Sequence, residues 1–166
     1  VLGINDAVIT DGDVTPISTD GTDFGATLVT GGQVDNTLFI TNSGLGLLTI
    51  TGVTTSGTHA ADFIVMSYPT TVVAGTRSNL VLRFNPTAAG TRNATITITN
   101  DDSDEDVYDF SVRGTGQVAA TVSTTIASAT NTTTATSGGN VTADGGATVT
   151  NRGVVWALSP STPTVP

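Results

Sequence analysis

The sequence predicts an all-β protein: an Ig-like antiparallel β-sandwich of seven to eight strands, followed by a partial second β-sandwich module. Three observations point there. From residue 36 onward apolar and polar residues alternate strictly, the period-2 pattern of a sheet that buries one face. Threonine fills about a fifth of the 166 positions, and Thr and Val, stiff at χ1, pack well on a pleated surface. Turn signals separate the alternating runs at intervals of roughly 8–15 residues, the rhythm of a sandwich.

The elements follow in order. In "NTLFITN" Leu38 and Ile40 share a face, and in "LLTITGV" Leu48 and Ile50 do, followed by Val53. Phe63 and Val65 come next, then Leu80, Leu82 and Phe84, then Ala94, Ile96 and Ile98, and last Tyr108, Phe110 and Val112. These residues are the predicted core, with Thr, Ser, Asn and Arg between them on the outer faces. The connections are "NSGLG", "TSGTHAAD", "YPTTVVAGT", "NPTAAGT" and the acidic stretch "TNDDSDEDVYDF". Gly supplies positive φ and Pro presets its own, so these are turns with a mechanism. A single turn of helix is expected near "THAAD".

The pieces "ISTDGTDFGATLVTGG", "LFITNSGLGLLTITGVTTSGTHAADFIV" and "LRFNPTAAGTRNATITITNDDSDEDVYDFSVRGTG", in that order, resemble the choice-of-anchor D repeat of bacterial surface proteins. That repeat is related to the ASH-type (abnormal-spindle/hydin-like) Ig-like domain. The resemblance implies a seven- or eight-stranded sandwich in long secreted or cell-surface chains, with no catalytic residues to carry over. It sets a first module at residues 1–116.

After "GTGQ" the acids nearly vanish and apolar residues thin out. Residues 117–166 resemble the first half of a fibronectin-III-like repeat, with "GGNVTADGGATVTNRGVVW" across its second and third strands and Trp156 as its core anchor. A sheet lacking half its strands leaves apolar faces and hydrogen-bonding edges open. The module is therefore expected to be completed by more of the same chain or by another molecule, with the linker near residues 114–120.

Composition excludes several functions. Fourteen acids against five arginines give a net charge of −9, which repels phosphate backbones and anionic membranes, so no nucleic acid is expected as a partner. There is no cysteine for a disulfide, thiolate ligand or nucleophile, and no lysine for an isopeptide cross-link. No apolar run approaches the roughly 18 residues of a membrane-spanning helix, and "VLGINDAVIT" lacks a basic flank and a signal-peptide core.

The acidic stretch is the strongest candidate site. Asp101, Asp102, Asp104, Glu105, Asp106 and Asp109 fall in a hairpin connection. Asp101, Asp102, Asp104 and Asp106 are the ligand types a Ca²⁺ site would use, joined by Asp11 and Asp13 or by Asp20 and Asp23. An EF-hand is excluded, because its required Gly and Glu positions hold Val107 and Arg113. The alternative is a solvated acidic turn that resists edge pairing. No metal or other cofactor is otherwise expected.

Glycoside hydrolysis needs two carboxyls in contrasting environments, which six acids on one hairpin do not offer. His59 lies near Asp62 in sequence, but no Gly-x-Ser-x-Gly elbow supports a triad. Gly-rich stretches lack the lysine of a phosphate loop. Sequons occur at Asn93, Asn131 and Asn140, as chance allows in so threonine-rich a chain.

The sequence thus predicts a non-catalytic structural or spacer module of a bacterial cell-surface or secreted multidomain protein, in an adhesin-like stalk. Its expected partners are neighbouring domains of the same longer chain, with self-association through open strand edges. The alternatives are a subunit of an extracellular filament assembled by β-strand complementation, and a carbohydrate- or surface-binding adhesin domain.

Overall fold

The computed structural model describes residues 1–129 and 133–155. Its strands are β1 Asp23–Leu28, β2 Val34–Asn42, β3 Leu48–Ser56, β4 Phe63–Ser67, β5 Thr71–Val72, β6 Thr76–Phe84, β7 Gly90–Asn100, β8 Val107–Gln117, β9 Thr121–Ala129 and β10 Ala135–Ala143. Helical structure among the described residues is confined to two 3-10 turns, Ile4–Asp6 and Ala60–Asp62, the second within "THAAD". The chain divides into two compact units, Val1–Val118 and Ala119–Pro166.

The first unit is an Ig-like sandwich of two sheets, ordered β1-β8-β7-β3-β5 and β2-β6-β4. Its pairs are antiparallel except one: β1 runs parallel to β8, with Asp23 opposite Arg113 and Leu28 opposite Gln117. Alternation reveals a strand but not its direction, so the sequence could not show this exception. A parallel pair needs a long crossover, and here everything from residue 29 to 106 supplies it. Residues ahead of β1 extend the contact, since Gly12 N–H donates to Asp109 O (2.8 Å) and Ser111 N–H to Asp13 O (2.7 Å).

Between the sheets lies one apolar layer. Leu38, Ile40, Ile50, Val53, Phe63, Leu80, Leu82, Phe84, Ala94, Ile96, Ile98, Phe110 and Val112 are buried, as the alternation predicts. Leu48, Val65 and Tyr108 pack against that layer but stay partly exposed. The first and last sit near strand starts, and Val65 precedes an irregularity in edge strand β4. Ile9, Phe24 and Val72 complete the core without having been predicted. Val72 belongs to a two-residue strand inside the expected turn "YPTTVVAGT", too short to display a period.

Part of the core is aromatic. Phe63 and Phe84 stack with centroids 4.9 Å apart, and Phe24 meets Phe63 edge-on at 5.7 Å, within the favoured range for ring pairs. Space for Phe84 comes from the opposite sheet: β8 continues its inward register past Val112 with Gly114, where a Cβ would lie 2.5 Å from the Phe84 ring. Glycine here makes a close approach, not a turn.

In the second unit β9 and β10 form an antiparallel two-stranded sheet, with Val122 opposite Val141 and Thr121 opposite Ala143. Val122 and Ile126 face solvent, at 63% and 90% exposure. A two-stranded sheet is marginal in water unless something packs on it. Trp156, the expected anchor of this module, and Asn131 lie outside the described residues.

Candidate functional site

Asn100, the last residue of β7, shapes the acidic connection. Its backbone N–H donates to Asp106 O (2.9 Å), its side-chain amide donates to Glu105 O (2.9 Å), and its Oδ1 accepts from Asp102 N–H (2.8 Å). Asp101 then fastens the tip to β3: its N–H donates to Thr49 O (3.1 Å), and its Oδ1 accepts from Thr49 N–H (2.7 Å). That bond from Thr49 holds the Asp101 carboxyl below the usual carboxylate range. Asp102, Asp104, Glu105 and Asp106 are exposed.

Asp11 and Asp13 come to the same end of the sandwich. Asp11 Oδ1 accepts from Asp109 N–H at 2.8 Å, while Asp13 forms a parallel bridge with Phe110. Asp20 and Asp23 are committed to other bonds. Asp20 is buried and accepts from Thr22 N–H and Oγ1 (2.8 and 2.6 Å), and Asp23 pairs with Arg113 at 2.6 Å. Among the described residues no group of three or more His, Asp or Glu side chains is placed to hold a metal ion. Millimolar Ca²⁺ is expected to leave the melting midpoint unchanged. A rise of a few degrees, lost on Asp102→Asn with Asp104→Asn, would put an ion on the hairpin, since a ligand that binds only the folded state raises the midpoint.

Beside the hairpin a cleft of about 430 Å³ opens between the sheets. Ile9, Ile98 and Leu48 line it with Tyr108, and Asp102 and Glu105 also contribute to its wall. Tyr108 Oη donates to Ile9 O and accepts from Val1 N (2.9 Å). Burial, together with the nearby carboxylates of Glu105, Asp11 and Asp13, pushes its phenol up to about 12. In a Tyr68→Phe background, Glu105→Gln is expected to lower the pH at which the remaining phenol ionises, followed by its ultraviolet absorbance. An unmoved titration would mean that Glu105 does not face Tyr108.

His59 belongs to the other end of the unit. Its Nδ1 accepts from Asn93 N–H at 3.0 Å. Asn93 is seven positions along β7 from Asn100, about 23 Å at strand rise. Asp62, its neighbour in sequence, is turned to different partners: Oδ1 accepts from Thr87 N–H (3.0 Å) and Oγ1 (2.7 Å), and Oδ2 accepts from Arg92 Nε (2.5 Å). With both Asp62 oxygens and His59 Nδ1 so engaged, the two side chains do not form a relay. The sequons at Asn93 and Asn140 lie in β7 and β10.

Sequence reasoning missed the apolar residues that accompany the acids. Leu45 and Leu47, in the β2–β3 turn, are 102% and 58% exposed, and Val8 is 69% exposed. The run "GLGLL" was a signal available for them, because a turn seldom needs so many leucines.

Two facing sheets with this strand order and a single apolar layer define an Ig-like β-sandwich domain. Residues 17–115 match the HYDIN/CFA65/VesB-like, Ig-like domain, and the chain belongs to that family. No curated protein matches the chain. Among solved structures, that of the Vibrio cholerae VesB protease is similar at 17% identity with a TM-score of 0.37. The likeness covers 58% of this chain and only 29% of that one.

Proposed function

We propose that this chain is a non-catalytic, tension-bearing spacer from a bacterial cell-surface or secreted multidomain protein. In this reading the first unit is a choice-of-anchor D repeat of the ASH type, and the second is the start of a fibronectin-III-like module. The observation that carries it is the parallel pairing of β1 with β8, the first and last strands of the first unit. Tension applied through the unit's two ends draws parallel neighbours past each other, so their hydrogen bonds share the load. An Arg113–Asp23 ion pair across the same two strands adds to the resistance. The side chains most suited to catalysis, His59 and Asp62, are occupied in holding loops, which favours a structural role.

Force spectroscopy tests the proposal directly, because a cysteine-free chain accepts handles at chosen sites. Handles at residues 1 and 118 are expected to require a several-fold higher unfolding force than handles at Leu28 and Gln117. Those two are register partners, so pulling between them opens the ladder one bond at a time. Equal forces would remove the mechanical reading.

The exposure of Val122 and Ile126 on a two-stranded sheet favours a second reading, a filament subunit whose second unit is completed by strands from a neighbouring copy. Electron microscopy separates the two, since a spacer stays monomeric and a self-completing module polymerises.

A further inference from the structure

Tension that enters through Val1 meets another structure before it reaches β1 and β8. Residues 1–9 form a small hairpin: Leu2 pairs antiparallel with Val8, Gly3 N–H donates to Ala7 O (2.7 Å) and Ile9 N–H donates to Val1 O (3.0 Å). Asn5 and Asp6 make its turn with φ of 60° and 57°, the two positive values that a two-residue hairpin turn requires and that Asn and Asp tolerate best after glycine.

This hairpin is lightly held. Among the described residues its backbone meets β2 through one pair, in which Leu2 N–H donates to Phe39 O (2.9 Å) and Phe39 N–H donates to Leu2 O (2.7 Å). Ile4 N–H donates to Asp20 O (2.9 Å), and Tyr108 Oη donates to Ile9 O. Asp6 pairs with Arg77, but both side chains are exposed and such a pair adds little. Ile9 is fully buried, whereas Val1, Leu2, Ile4 and Ala7 are half-buried and Val8 is exposed.

From Asp11 onward the attachment is denser. Asp11 Oδ1 accepts from Asp109 N–H (2.8 Å), Gly12 N–H donates to Asp109 O (2.8 Å), Ser111 N–H to Asp13 O (2.7 Å) and Arg113 N–H to Thr22 O (2.9 Å). The parallel rungs then run from Asp23 to Leu28. These two attachments stand in series along the chain, so they carry the same load and the weaker yields first.

We propose that the Val1–Ile9 hairpin is a tension-released latch, which leaves β2 at a load that the β1–β8 pairing withstands and reseats when the load falls. The inference rests on the tension-bearing reading above. Release takes Ile9 out of the apolar layer and strips Phe39 N–H and O of their partner, so moderate tension changes the surface of the unit while its fold persists. Reseating is local, because a hairpin with its own turn re-forms on the order of microseconds.

Val1 lies beside Tyr108 and Gly12 beside Asp109, so the hairpin starts and finishes at the same end of β8. In optical tweezers with handles at residues 1 and 118, an early reversible step of about 25–30 Å is therefore expected before the main unfolding event. Moving the first handle to Thr10, an exposed position, should abolish the early step and leave the main force unchanged. Leu2→Pro, which removes the N–H that donates to Phe39 O, should bring the early step to lower load without moving the main event.

Unfolding from residue 1 in a single event overturns the latch. So does an early step that survives the move to Thr10, or a Leu2→Pro change that lowers both forces alike. None of these results touches the comparison with handles at Leu28 and Gln117, where equal forces would remove the clamp even if the early step were seen.

Discussion

Replacing Phe84 by alanine is expected to destabilise the first unit by about 3–5 kcal/mol, a large share of the roughly 5–15 kcal/mol that holds a domain folded. Phe84 has no exposed surface, stacks on Phe63 and reaches Phe24 at 6.1 Å, so its removal opens a cavity bounded by both sheets. Urea unfolding checks the value. A companion substitution examines the fit from the other side: Gly114→Ala drives a Cβ into the Phe84 ring and should cost about 1–3 kcal/mol. Combined with Phe84→Leu, whose side chain is smaller and more adaptable, the alanine should cost distinctly less than the sum of the single changes. Strict additivity would mean that residue 114 does not press on residue 84.

Asp62→Asn carries the other large effect. Asp62 is 1% exposed and is the only carboxylate among the described residues paired with Arg92, whose side chain is 17% exposed. Burial by itself would raise the Asp62 carboxyl, but hydrogen bonds from Arg92 and Thr87 outweigh it and hold the group below the ordinary value of 3.8. Removing one partner of such a pair leaves the other charge poorly compensated, at a cost of about 3–5 kcal/mol. The double variant Asp62→Asn with Arg92→Met should recover much of the loss, because no charge is then stranded.

The pH dependence follows from the lowered carboxyl. A group whose folded value is depressed contributes its full stability above the unfolded value and loses it as pH falls through the folded one. The parent protein should therefore lose stability steeply below about pH 4, and Asp62→Asn should lose less over that window. Parallel acid-unfolding curves for the two would show that Asp62 is not the group responsible.

The long strands were legible because a half-buried sheet writes itself into sequence as alternation. Leu80, Leu82 and Phe84 in β6 and Ala94, Ile96 and Ile98 in β7 are buried residue for residue. Ile9, Phe24 and Val72 were not legible, since an isolated segment, a short strand and a two-residue strand contain too few positions to show a period. The acidic stretch reads correctly as a hairpin connection. Its attachments do not, because Asp101 reaches Thr49 across 52 positions and Asp11 reaches Asp109 across 98. Proximity in sequence also misleads: Asp62 stands beside His59 in the chain yet bonds to Arg92, 30 positions away.

The placement of β8 carries a directional consequence. Val1 lies against Tyr108 at the acidic end, and the backbone leaves the unit past Gln117, nine positions along β8 and about 30 Å further on. Polypeptide thus enters one face of the unit and exits the opposite one. The unit therefore has a polarity of its own, with an acidic head where Val1 lies and a tail, past Gln117, at the other end of β8.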